Sequence, residues 1–129
     1  MEGIKPGAKL TVSKKADDTL LARTMGSGTL EVLATPAVIA AMENAAAALI
    51  EPALGSGLTS VGTMISIKHI SATPKGADFS ATAQLISTDG RKYVFSVTAY
   101  DKAGLIAEGT HERCTVKSES FMQRTEHKF

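Results

Sequence analysis

From residue 59 to 71 the chain alternates (TSVGTMISIKHIS). Val61, Thr63, Ile65, Ile67 and His69 fall on one face, and Gly62, Met64, Ser66 and Lys68 on the other. A period of two predicts a half-buried β-strand. The same alternation returns in 77–87, where Phe79, Ala81, Ala83 and Leu85 share a face, and in 91–101, with Tyr93, Phe95, Val97 and Ala99. Segment 104–117 is long and mixed and also reads as a strand. Asp89–Gly90 is a strong hairpin signal, and Lys102–Ala103–Gly104 a weaker turn. Upstream, 8–15 and 19–23 predict two short strands with Asp17–Asp18 as their turn. Met25 to Thr29 (MGSGT) reads as a flexible connecting loop.

Between these strand regions lies a run of different character. Ala37 to Leu54 is rich in alanine, the best helix former. Thr35 is placed to N-cap it and Pro36 suits its first position, while Gly55, Ser56 and Gly57 end it. This helix is apolar nearly all round, which predicts protein on most of its sides. Strands, one long helix, then antiparallel strands with short turns give an α+β fold. A curved antiparallel sheet wrapped around one long central alanine-rich helix is the hot-dog architecture. One such sheet leaves an edge and a face uncovered, and a second copy would cover them.

Composition narrows the function. The 129 residues fit one domain, residues 1–129, with residues from about 117 to 129 expected to fray. Net charge is +1, with basic residues in pairs (Lys14–Lys15, Arg91–Lys92) and not in a stripe. That offers no field for a phosphate backbone. Two tyrosines and four phenylalanines are too few for a base-stacking platform, so nucleic acid is not an expected partner. The single cysteine, Cys114, cannot form an internal disulfide, and no spacing suits a metal or a P-loop. Met1 to Lys15 lacks the apolar core of a signal peptide. The apolar stretch 36–54 is broken by Glu43, Asn44 and Glu51, a poor membrane span. A cytoplasmic location without membrane contact is expected.

Four residues stand out chemically. Glu43 sits in IAAMENAAAAL, where a carboxylate must be paired, protonated or face a polar cavity. A lysine partner at a subunit boundary would equally satisfy it. His69 shares its strand face with Val61, Ile65 and Ile67, the face expected to meet the helix. It is either a satisfied core histidine or half of an acid/base pair with Glu43. Thr35 stands at a helix N-terminus, as a plain cap or as a hydroxyl poised where negative charge is favoured. Gly62 interrupts a β-branched strand, which marks a bulge or a close backbone approach. By parity it faces away from His69, so only a bulge or a backbone role brings both to one pocket. His111 shares a face with Leu105, Ala107 and Arg113, with no helix carboxylate obvious for it. His127 lies in the tail.

Taken together, the motifs resemble a known family. Val32-Leu33-Ala34-Thr35-Pro36-Ala37, then Met42-Glu43, Val61-Gly62-Thr63, Lys68-His69-Ile70-Ser71-Ala72-Thr73-Pro74-Lys75-Gly76 and Glu108-Gly109-Thr110-His111-Glu112-Arg113 are similar to the fluoroacetyl-CoA thioesterase-like proteins. The resemblance runs from about Thr11 to Val116. It implies a hot-dog homodimer, with pairing into a tetramer left open, that hydrolyses an acyl-CoA thioester near the dimer interface. It needs no cofactor beyond the CoA of its substrate. The family's catalytic residues fall on Thr35, Glu43 and His69, its carbonyl-binding glycine on Gly62, and a CoA-placing arginine on Arg113. Family members selective for fluoroacetyl-CoA carry an aromatic lid before the helix. Leu20 to Leu33 contains no Phe, Tyr or Trp here, so a short- or medium-chain acyl group is expected instead. The rivals are a hot-dog enoyl-CoA hydratase or dehydratase and a non-catalytic acyl-CoA binding module.

Overall fold

The computed structural model describes residues 3–129. Five strands form one antiparallel sheet: β1 (Lys9–Lys15), β2 (Leu58–His69), β3 (Asp78–Thr88), β4 (Lys92–Asp101) and β5 (Gly104–Lys117). Their order across the sheet is β1-β3-β4-β5-β2. Two helices precede β2, the single turn α1 (Ala22–Met25) and the long α2 (Thr35–Ile50), and α3 (Ser118–Glu126) follows β5. The sheet curls around α2, giving the α+β hot-dog arrangement that the pattern of elements predicts.

The expected inward faces of β3 and β4 are the buried ones. Phe79, Ala81, Ala83 and Leu85 meet Tyr93, Phe95, Val97 and Ala99 in the core, and α2 adds Ala37, Val38, Ala41, Met42, Ala45, Ala46 and Ile50. Alanine on both helix and sheet lets the two backbones approach, while Phe95, Leu85 and Met42 fill the space between. The far side of α2 is less covered than an all-round apolar helix suggests. Pro36, Ala40 and Asn44 are exposed in the single chain.

Several local expectations are corrected. Residues 19–23 form no strand. Asp17 accepts a hydrogen bond from the Thr19 N–H at 2.9 Å, and a 3-10 turn at Asp18–Leu20 leads into α1. Only Leu21 keeps an extended contact, as an isolated bridge to Leu33. The main helix begins two residues earlier than expected. Ala34, not Thr35, is its N-cap residue, and Thr35 is the first helical residue with no capping bond from its side chain. The helix ends at Ile50, and Glu51–Ala53 continues as one 3-10 turn. The segment expected to fray carries α3 instead, although none of its residues is buried.

One irregularity controls the site. Along β2 and β5, Gly62 pairs with Arg113 and Met64 with Glu112, leaving Thr63 unpaired in a β-bulge. The extra residue flips the alternation. Ser60 and Gly62 therefore share the inner face with Ile65, Ile67 and His69. Val61 and Thr63, expected beside His69, do not.

Candidate active site

The start of α2 is held by the chain segment after β2. The Leu33 N–H donates to the Thr73 carbonyl at 2.9 Å, and Val32 bridges Pro74. Thr73 is fully buried and its hydroxyl donates to Asp101 Oδ2 at 2.7 Å. This tie fixes the helix start relative to the end of β2. His69 is the last residue of β2, and its Nδ1 lies 2.7 Å from the Thr35 hydroxyl. Because Thr35 caps nothing, its hydroxyl is free for that contact. Nε2 of His69 is buried without a partner among the described residues. Thr35 and His69 line a cleft of about 260 Å³ whose other walls are Ala22, Ser27, Val32, Leu33, Ile70, Ser71 and Ala72. The glycine-containing loop thus borders the cleft through Ser27, and the walls are small or aliphatic.

Glu43 lies eight residues along α2, about 12 Å up the helix axis. It does not meet His69 within the chain: no ion pair within 4.0 Å joins them. Its Oε2 is 3.7 Å from an Arg113 guanidinium nitrogen, and a Cβ placed on Gly62 would stand 2.7 Å from the same oxygen. The pairing expected between Glu43 and His69 is therefore replaced, in one chain, by two separate groupings. One is Thr35 with His69, and the other is Glu43 with Gly62, His111 and Arg113.

Arg113 is buried, with only 9% of its side chain exposed. Its Nε donates to the Ser60 hydroxyl at 2.8 Å and a terminal nitrogen donates to the Ser60 carbonyl at 3.0 Å. Burial pulls its guanidinium below the ordinary arginine range, and the carboxylates of Glu43 and Glu51 act against that. His111 is also buried, beside Arg113. Sequence reasoning found no helix carboxylate for His111, because the bulge that turns Gly62 and Glu43 toward it is invisible in the period. Ser60, Thr73 and Asp101 were missed for a related reason: a polar side chain gives no sign in the sequence of the distant residue it will bond.

Comparison with known proteins identifies the fold and family. The family of fluoroacetyl-CoA-specific thioesterases, FlK, matches residues 15–119. The fluoroacetyl-CoA thioesterase of Streptantibioticus cattleyicolor is 38% identical over 98 residues, covering 76% of this chain and 70% of that protein. The crystal structure of the fluoroacetyl-CoA thioesterase FlK superposes with a TM-score of 0.94 at 30% identity, over 99% of each chain. A thioesterase superfamily member from Thermus thermophilus shares the fold, with a TM-score of 0.89 at 23% identity over 99% of this chain and 97% of that one. The family match over residues 15–119 and the 38% identity to the Streptantibioticus cattleyicolor enzyme place this chain in the fluoroacetyl-CoA-specific thioesterase family.

Proposed function

We propose that this protein is an acyl-CoA thioesterase that converts a short- or medium-chain acyl-CoA and water to the free acid and CoA. The observation that carries the reading is the 2.7 Å contact between the Thr35 hydroxyl and His69 Nδ1 at the mouth of a cleft. A hydroxyl held by an imidazole, at a helix start where backbone N–H groups favour negative charge, is equipped for acyl transfer. Glu43 and the Gly62 backbone supply a carboxylate and a carbonyl-binding N–H. The aliphatic walls of the cleft, Ala22, Val32, Leu33 and Ile70, suit an alkyl chain. Among the cleft's lining residues none is Phe, Tyr or Trp, which argues against selectivity for fluoroacetyl over other short acyl groups.

A second copy of the chain would unite the two groupings. β1 is an edge strand guarded by Lys9, Lys14 and Lys15, whereas β2 is a 12-residue edge carrying only Lys68. A long edge with so little charge favours pairing. Antiparallel pairing of β2 with its own copy about an axis at Ser66 would keep inward residues opposite inward ones and bring the Gly62–Thr63 bulge against the partner's His69. Glu43, which reaches Gly62, would then face the partner's Thr35 and His69 across one pocket. In that site Gly62 N–H polarises the thioester carbonyl. Thr35 or Glu43 attacks it, or Glu43 and His69 direct a water, and His69 passes the proton on so that CoA leaves as a thiol.

Release of CoA thiol from a panel running from acetyl- and fluoroacetyl- to octanoyl-CoA tests the reading, with Thr35→Ala, Glu43→Ala and His69→Ala beside the parent. Turnover by the parent that all three variants lose supports it. CoA binding without turnover on any member sinks it and makes the protein a binding module. Trapping an acyl adduct on Thr35 or Glu43 would separate the covalent route from direct water attack.

A further inference from the structure

The proposed chemistry leaves His111 unused, yet it is among the most constrained side chains in the molecule. It is 1% exposed, and its ring stacks on Phe95 with centroids 5.8 Å apart. Both ring nitrogens are engaged. Nδ1 lies 2.8 Å from the Met64 carbonyl oxygen, which can only accept, so Nδ1 carries a proton. Nε2 lies 3.3 Å from an Arg113 guanidinium nitrogen, which can only donate, so Nε2 presents its lone pair. The two neighbours together select one neutral tautomer. Burial lowers the imidazole from the ordinary histidine value. The Met64 bond raises it, the charge of Arg113 lowers it further, and Glu43 and Glu112 act upward.

Its two partners sit at telling places. Met64 is the residue at which β2 regains register after the bulge, and Arg113 is the ladder partner of Gly62. Arg113 in turn holds Ser60 and stands 3.7 Å from Glu43. We propose that His111 is a positioning residue for the thioesterase site: it ties the β2 bulge to Arg113, and so fixes the Gly62 N–H and the Glu43 carboxylate relative to each other. The proposal rests on the reading of Glu43 and Gly62 as catalytic groups. A bulge has an alternative register in which Gly62 points outward, and a buried acceptor–donor bridge across it disfavours that register. The neutral ring is essential to the device. A protonated His111 would set a donor against the guanidinium and a second cation beside it, leaving Arg113 faced by Glu43 and Glu51 but no longer held by the ring.

Two substitutions separate positioning from packing. His111→Phe keeps the ring on Phe95 and loses both hydrogen bonds. His111→Gln has a carboxamide that can donate to Met64 and accept from Arg113. His111→Phe is expected to lower kcat about 10- to 100-fold, with KM within about threefold of the parent. His111→Gln is expected to recover most of that loss. Nitrogen-15 NMR of the parent at pH 7 is expected to show His111 neutral and protonated on Nδ1. If the phenylalanine variant does not fold, His111→Asn carries the kinetic test, because its shorter side chain cannot reach both partners and should fall below glutamine. Parent-like kcat in the phenylalanine variant, glutamine no better than phenylalanine, or an Nε2-protonated ring would each overturn the proposal. The parent's own turnover is measured in the same assay. Its absence overturns the thioesterase reading and the role of His111 with it, whereas turnover unaffected by His111→Phe overturns His111 alone.

Discussion

Gly62 lies against the carboxylate of Glu43, so closely that a Cβ at position 62 would stand 2.7 Å from Glu43 Oε2. Glycine is required there by contact and not by backbone conformation, since its φ is not among the positive ones. Gly62→Ala should push the carboxylate aside and shift the bulge. A displacement of about 1 Å in such a site costs about 100-fold in rate. We expect kcat to fall by that order in a thiol-release assay. A variant that turns over like the parent would remove the Glu43–Gly62 contact from the mechanism.

Thr35 offers a test of role against structure. As an N-cap its loss would cost about 1 kcal/mol. As the first helical residue, exposed and bonded only to His69, it should cost within about 0.5 kcal/mol. Thr35→Ala is therefore expected to leave the denaturation midpoint nearly unchanged while turnover collapses, and Thr35→Ser to retain activity. A midpoint lowered by a full kilocalorie equivalent would restore the capping role.

Gly109 is a purely structural counterpart. A Cβ there would run into the Ser66 carbonyl oxygen and stand 2.7 Å from the Ile67 Cα, both on the neighbouring strand β2. Gly109→Ala must push the two strands apart. Overpacking of this kind costs about 1–3 kcal/mol or more, and urea denaturation would read it. No change in the midpoint would show that β5 and β2 can part without penalty.

His111 also predicts a pH dependence of stability. Its pKa is lowered in the fold from the ordinary 6.5, mainly by burial. Between those two values the unfolded chain binds a proton that the folded chain does not. Stability is therefore fully present above 6.5 and is lost as pH falls below it toward the folded value. The parent should lose more stability than His111→Gln on going below that pH, with equal slopes above it. Parallel curves throughout would mean that His111 ionises as freely in the fold as outside it.

Thr73 and Asp101 should act together. Thr73→Val leaves a half-buried Asp101 carboxylate oxygen without its hydroxyl donor and loosens the tie at the helix start. A stability loss of about 1–3 kcal/mol is expected, with Asp101→Asn adding less than its own effect when combined. Fully additive losses in the double variant would deny that the pair interacts.

Much of the fold is legible in the residues. The period of two in 77–87 and 91–101 names the core faces of β3 and β4, and all eight inward residues are buried there. The alanine run names the helix. The resemblance in VLATPA, VGT and KHISATPKG points to the family that comparison then shows. What failed were the segments where short polar contacts overrule periodicity. Asp17 draws the chain into a turn, so 19–23 is not a strand, and Ala34 takes the cap position expected of Thr35.

The sequence by itself determined the long helix and the strands β2 to β5, because each residue carries its own preference and the period is repeated along the chain. Through its family resemblance it also supplied the candidate site residues Thr35, Glu43, His69, Gly62 and Arg113. Only the tertiary structure decided which of them meet. A bulge is a mismatch between two strands, and β2 cannot announce it without β5 beside it. That single unpaired Thr63 turns Gly62 inward. Together with the packing of α2 across it, the bulge sets Glu43 beside Arg113 and His111, leaving His69 to Thr35.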